Sequence, residues 1–269
     1  MRYLLLLVSC SNYILSVAQN TLPLSNHNFI VIAHRGNHTT APENTLLAYE
    51  EAIKIGADYV EVDVRTTKDS ALVIMHDASI NRMTGFVGNI RDFLFNSLQR
   101  IKVRDTLHPE WGLHCIPTFK EVLQLCKGKV NIYIDFKDAS AASVYKAIIN
   151  EGMEHNVVVY INTPQQYTDW KLIAPNIPLM ISLPNAYITK DDVFDFLDDH
   201  PVDVLDGNFN SYNTETAMAA KERGIPIWAD IQTQDSENNW NKALLLGLQG
   251  LQTDHPQALI NFLKKKGIR

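Results

Sequence analysis

Four stretches of the sequence end an apolar run in groups that titrate or carry fixed charge. "IVIAHRG" at 30–36 delivers His34 and Arg35, and "VEVDV" at 60–64 carries Glu61 and Asp63. "ALVIMHD" at 71–77 ends in His76 and Asp77, and "VNIYIDFK" at 130–137 ends in Asp135 and Lys137. Glu61 and Asp63 are two residues apart, as are Asp135 and Lys137, so on a strand each pair shares one face. Adjacent carboxylates lose hydration and repel, and a cation between them relieves both costs. If Asp135 arrives from a neighbouring strand, the donor set is three carboxylates and no thiolate. That set suits Ca²⁺ or Mg²⁺ better than zinc. Arg35 and Lys137 at the same mouth invite a phosphate, which the planar guanidinium grips with two parallel bonds. A phosphodiester also needs one group to take a proton from the attacking oxygen and another to give one to the leaving alcohol. His34 and His76 titrate near neutrality and can divide that work.

The elements that must position these groups alternate. Runs of β character occur at 29–33, 59–64, 130–136, 157–161, 178–183, 202–206, 225–230 and 249–253. Helical signals lie between them at 44–56, 140–155, 164–174, 189–199, 213–223 and 238–247, and from Pro256 onward. Eight strands alternating with helices predict a (β/α)8 TIM barrel, whose active site lies at the C-terminal ends of the strands. The segment 71–76 breaks the alternation: it follows the second strand too closely for a parallel crossover and should return antiparallel. A tight turn at Lys68 and Asp69 sets His76 opposite Glu61 and Ile74 opposite Asp63, and a bulge at Ser70 would slip that register by one. Residues 77–129 form an insertion before the third barrel strand, expected to roof one mouth of the barrel.

The chain has 269 residues and is 46% apolar, enough for a sizeable core in a single domain over 27–269. A net charge of −6 without a long basic run excludes a protein that holds nucleic acid through many phosphate contacts. A small-molecule partner is expected. Arg2, a short apolar stretch and the compact residues Ser16, Val17 and Ala18 predict a signal peptide over 1–18, too short to span a bilayer, and a secreted or periplasmic location. "LVSC" at 7–10 also resembles a lipoprotein box that would make Cys10 a lipid anchor. Thr118 reads as the N-cap of "FKEVLQLCKG", which carries Cys126 about 12 Å from the helix start. Cys115 and Cys126 are therefore expected to be two buried free thiols rather than a disulfide.

Each pattern has an ordinary explanation when taken singly. A histidine after an apolar run is commonly a hydrogen-bonded core or loop residue, E-x-D a solvated face, and Asp135 with Lys137 an ion pair. Their joint arrival at one mouth is what argues for a site. His27, His38, His108, His114, His155 and His200 are expected in surface or capping roles. Glu43 in "APENT" either supports Arg35 from behind or is a helix-start acid favoured by the dipole. Trp228 is either a wall for substrate carbon or a core residue.

The residues resemble the glycerophosphodiester phosphodiesterase family. The matching pieces are "AHRG" at 33–36, "PENT" at 42–45, "GADYVEVDVRTTKDSALVIMHD" at 56–77, "IPTFKEVL" at 116–123, "IDFK" at 134–137 and "LQGLQTDHPQAL" at 248–259. The resemblance implies a TIM barrel, an acid/base pair at His34 and His76, a phosphate contact at Arg35, and metal ligands at Glu61 and Asp63. Asp135 stands where many members have glutamate, one methylene longer, and Lys137 matches a phosphate-side lysine. "IPIWADI" at 225–231 departs from the more usual Trp-Thr-Val-Asn, which puts substrate choice in question. The implied activity is hydrolysis of deacylated phospholipids to glycerol 3-phosphate and an alcohol with Ca²⁺ or Mg²⁺. Two rivals stand beside it: a phospholipase of the same superfamily acting on intact lipid, and a binding protein that kept the pocket without turnover.

Overall fold

The computed structural model describes residues 20–269, so the leader and Cys10 lie outside the described residues. Eight parallel strands form the barrel: β1 (Ile30–Ala33), β2 (Tyr59–Thr66), β3 (Asn131–Phe136), β4 (Val157–Tyr160), β5 (Leu179–Ser182), β6 (Val204–Asp206), β7 (Trp228–Asp230) and β8 (Gly250–Thr253). They are hydrogen-bonded in the order β7-β8-β1-β2-β3-β4-β5-β6. Parallel bridges Leu205 to Ile227 and Asn208 to Asp230 join β6 to β7 and close the ring.

The period of two along each strand separates two cores. Ile30, Ile32, Tyr59, Tyr133, Val158, Met180, Val204 and Trp228 fill the barrel interior. Their neighbours, such as Val31, Val60, Val62 and Ile134, face outward under the helices. Each strand is followed by a helix: α1 (Leu46–Ile55), α2 (Phe119–Cys126), α3 (Ala141–Glu151), α4 (Pro164–Ile173), α5 (Lys190–Asp199), α6 (Thr214–Glu222), α7 (Glu237–Leu246) and α8 (Pro256–Lys265). The helices begin where the sequence supplies caps. Thr45, Thr118, Ser140, Thr163, Thr189, Asn213 and Ser236 each accept a backbone N–H of the first turn. Thr118 and Glu121 complete a reciprocal capping box. Among the described residues no helix is long and apolar enough to cross a membrane.

The return strand Leu72–Ile74 pairs antiparallel with β2, and its register differs by one residue from the tight-turn expectation: Ile74 faces Val64, and Val73 faces Arg65. Ser70 is the cause. It adopts a left-handed φ of 65°, adding the bulge residue that shifts the pairing. Ile74 and Val64 therefore share the outward apolar face, while Glu61 and Asp63 keep the inner one.

No residue of the insertion 77–129 lines the cavity at the barrel mouth. The insertion packs around a small core of Met75, Ile80, Met83, Ile90, Leu98 and Ile116, anchored to the return strand through a bridge from Val73 to Thr118. Cys126 is buried, but Cys115 is exposed on the two-stranded ribbon His114–Cys115/Lys102–Val103, so only one of the two free thiols is sequestered.

Candidate active site

β1 ends at Ala33, and the chain turns sharply through two consecutive left-handed residues, Arg35 at φ 54° and Gly36 at φ 83°. A Cβ on Gly36 would stand 2.7 Å from the backbone carbon of Ala48, so α1 can approach only because residue 36 is glycine. This turn aims the Arg35 backbone N–H at Glu61 Oε2, 2.8 Å away. The Arg35 guanidinium donates to Glu43 Oε1 at 3.0 Å and stands 3.6 Å from Asp63 Oδ2, while its Nε is buried without a hydrogen-bond partner. Glu43 thus supports Arg35 from behind, and Arg82 of the insertion braces it from the other side at 2.8 Å.

β2 and β3 bring the carboxylates together. Asp63 lies directly across from Asp135 in the parallel register, and Glu61 is one step back on the same face. Carboxylate oxygens of Glu61, Asp63 and Asp135 all lie within 4.8 Å of one another. Asn44 donates to Asp63 Oδ2 at 2.7 Å and Asn162 to Asp135 Oδ1 at 2.8 Å, which fixes how the acids point. Lys137 Nζ stands 3.0 Å from Asp63 Oδ1 and also contacts Asp135.

The electrostatics of this group call for added positive charge. Burial, with the charges of Asp63 and Asp135, pushes the Glu61 carboxyl well above its usual range. Asp63 goes the other way: burial opposes ionisation, but Lys137 and Arg35 overcome it and hold the carboxyl below its usual range. An all-oxygen cluster whose third acid is costly to ionise fits a hard divalent cation.

His34 and His76 are each backed by a carboxylate. His34 Nδ1 lies 2.6 Å from Asp254 Oδ1, and His38 Nε2 lies 2.9 Å from the same oxygen. His76 Nδ1 lies 2.8 Å from Asp77 Oδ1, and Asp77 in turn accepts from Arg82 Nε at 2.8 Å. A carboxylate only accepts, so Nδ1 of His34 and of His76 each carries a proton, leaving Nε2 as the nitrogen that accepts a proton in the neutral ring or gives one from the imidazolium. Burial lowers the His34 pKa against the opposing pull of Asp254, which favours the neutral ring.

His34, Arg35, Glu61, Asp63, His76, Asp135 and Lys137 line one cavity of about 250 Å³ at the C-terminal mouth of the barrel. Trp228 is not part of that lining. It is 2% exposed in the interior layer below, packed on Tyr59 at 4.9 Å, because β7 is only three residues long and starts at the tryptophan. The residue of β7 that reaches the cavity is Asp230.

Sequence reasoning passed over Asp254, Asn44 and Asn162 as site residues, and it read His38 as a surface or capping residue, whereas His38 stands against Asp254. Asp254 carried a readable signal, since it follows directly on β8 and so stands at a strand end. His38 carried none: its partner is 216 residues away, reached only when β8 closes against β1.

Comparison with known proteins identifies the family and the fold. A sequence model of the glycerophosphoryl diester phosphodiesterase family matches residues 34–258. A glycerophosphodiester phosphodiesterase of Caldanaerobacter subterraneus subsp. tengcongensis is 26% identical over 246 residues, 88% of this chain and 99% of the relative. Among solved structures, a glycerophosphodiester phosphodiesterase from Agrobacterium tumefaciens superposes with a TM-score of 0.78 at 21% identity, covering 87% of this chain and 99% of that one. An Oleispira antarctica phosphodiesterase in complex with the product sn-glycerol-3-phosphate gives 0.73 at 22% identity, covering 87% and 96%. With the family matched across most of its length and the same barrel beneath the site, the chain belongs to the glycerophosphoryl diester phosphodiesterase family.

Proposed function

We propose that the chain hydrolyses soluble glycerophosphodiesters to glycerol 3-phosphate and an alcohol, using a divalent cation, Ca²⁺ or Mg²⁺, held by Glu61, Asp63 and Asp135. The observation that carries this reading is the sharing of one small polar cavity by three converging carboxylates and two carboxylate-backed imidazoles. When bound, the cation would neutralise charge on the phosphoryl oxygens. Arg35 and Lys137 would grip the same phosphate from its flanks. His34, neutral and with Nδ1–H held by Asp254, would accept through Nε2 the proton of the attacking water. His76, with Nδ1–H held by Asp77 and acting as the imidazolium, would deliver its Nε2 proton to the leaving alkoxide. The P–O bond to water forms and the bond to the alcohol breaks; the water's proton ends on His34 and the His76 proton on the alcohol, and exchange with solvent restores both rings. The relative with bound sn-glycerol-3-phosphate supports the product assignment by analogy. A leader over residues 1–18, as read from the sequence, would send this activity outside the cytoplasm.

The test is turnover of glycerophosphoethanolamine and glycerophosphocholine by the purified protein, with added Ca²⁺ or Mg²⁺ and with a chelator. Release of glycerol 3-phosphate that stops on metal removal is expected. Cleavage of intact phospholipid alone would move the assignment to a phospholipase. Binding of the diester without turnover would leave a binding protein.

A further inference from the structure

The carboxylates on the far wall of the cavity have no part in the chemistry above. β6 ends in Asp206 and the neighbouring β7 in Asp230, and both side chains line the cavity. Asp206 is 1% exposed; its Oδ2 accepts from Tyr133 at 2.8 Å, while Oδ1 has no partner. Gln252 of β8 is 4% exposed; its amide nitrogen donates to Asp230, which leaves Oε1 without a donor. Lys137 pairs with Asp63 and Asp135, and Arg35 with Glu43, so neither cation forms an ion pair on this wall. Buried acceptors left without donors cost free energy unless something supplies the donors.

The missing partner has a definite chemistry. With the carboxyls ionised the open atoms, Asp206 Oδ1 and Gln252 Oε1, are acceptors, so the partner must bring hydrogen-bond donors, and positive charge to keep Asp206 ionised against the burial and the Asp230 charge that push its carboxyl well above the usual range. It must also be small enough to share about 250 Å³ with the phosphate. A primary ammonium meets all three conditions with three N–H donors on one compact centre. A trimethylammonium carries the charge but no donor, and a polyol carries donors but no charge. Burial, reinforced by the charge of Asp135, pushes the Asp230 carboxyl up to about 6, a cost that an adjacent ammonium would offset.

We propose that Asp206, Asp230 and Gln252 form a subsite for a primary-ammonium head group, making aminoalkyl glycerophosphodiesters the favoured substrate class. This rests on the diesterase reading above and adds the selectivity of the same cavity.

The test compares kcat/KM for glycerophosphoethanolamine, glycerophosphocholine and glycerophosphoglycerol. The unmodified protein is expected to favour the ethanolamine ester by about tenfold or more, since unpaired buried groups penalise an analogue lacking the donor. In Asp206→Asn and Asp230→Asn that ratio should fall toward one. A ratio near one in the unmodified protein overturns the proposal and leaves the diesterase reading standing, and this arm decides the matter even where a variant fails to fold. A preference that survives both substitutions also overturns it. Equal loss on all three esters in the variants would assign the wall to the glycerol end instead. No turnover of any ester overturns both readings.

Discussion

Asp254 Oδ1 lies 2.6 Å from His34 Nδ1, although 220 residues separate them in the chain. The contact forms because β8 pairs with β1 along its whole length, Thr253 opposite Ala33, so the residues just beyond the two strands meet. Asp254 is itself held well below the carboxylate range: burial opposes ionisation, but its bonds to His34 and His38 prevail. It therefore stays anionic and fixes the His34 tautomer.

Substituting Asp254→Asn should lower kcat/KM by about 10²-fold or more, within the range a positioned acid/base group contributes. The pH profile separates positioning from a merely structural role. His34 must be neutral to act as a base, so activity is lost as pH falls through its pKa, which burial holds below 6.5. Asp254 is one of the groups raising that pKa, so its removal should shift the acid limb to lower pH. A limb that stays in place, or moves up, would contradict the assignment.

Metal removal gives a second prediction, readable without turnover. Adding Ca²⁺ or Mg²⁺ to chelator-treated protein should raise its melting temperature, with a stabilisation of about 2.7 kcal/mol at a hundredfold excess over Kd. The ion needs Glu61 ionised, yet in its absence burial and the neighbouring acids hold that carboxyl protonated well above its usual range. Binding must then release a proton, so the thermal shift should grow from pH 5 to pH 8. Glu61→Gln and Asp63→Asn should abolish it. A shift equal in these variants and in the unmodified protein would place the ion elsewhere.

The strand-end groups were legible because a period of two and an abrupt polar ending are properties of local sequence. His34, Glu61, Asp63, His76 and Asp135 all announce themselves in that way, and the barrel gathers them into one cavity. Asp206 and Asp230 sit at strand ends too, but each is a single acid with no titratable neighbour in sequence, and Asp254, though beside His255, points to no partner within its own segment. Their meaning comes from ring closure, which sets β6 against β7 and β8 against β1. Trp228 was ambiguous for a related reason. A run of apolar residues does not say where a three-residue strand begins, and a two-residue difference moves a side chain from the mouth to the layer beneath. The hairpin register turned on the φ of one residue, Ser70, which no propensity assigns to the left-handed region in advance.

Gly36 tests the turn that presents His34 and Arg35. Gly36→Ala would force a Cβ to within 2.7 Å of Ala48 backbone at a φ of 83°. The loss of stability should be at least about 1–3 kcal/mol by urea denaturation, with impaired turnover because the same turn aims Arg35 at Glu61. Gly56→Ala is the control. It has a similar φ of 85° with nothing within 4 Å of the added atom, so it should carry only the conformational cost, about 1 kcal/mol.

Trp228 distinguishes a packing role from a role in substrate choice. Its ring fills the barrel interior against Tyr59 and over Gly250, where a Cβ would stand 2.7 Å from the Trp228 ring. Gly250 is thus the complement that makes room for the indole. Trp228→Ala should open a cavity that the parallel strands cannot collapse around, costing about 3–5 kcal/mol in chemical denaturation. Below the melting transition, the relative kcat/KM for different head groups should be that of the unmodified protein, because Asp230 and not Trp228 reaches the cavity from β7. A Trp228→Ala protein that keeps its stability but changes its order of preference among head groups would return the tryptophan to the substrate wall.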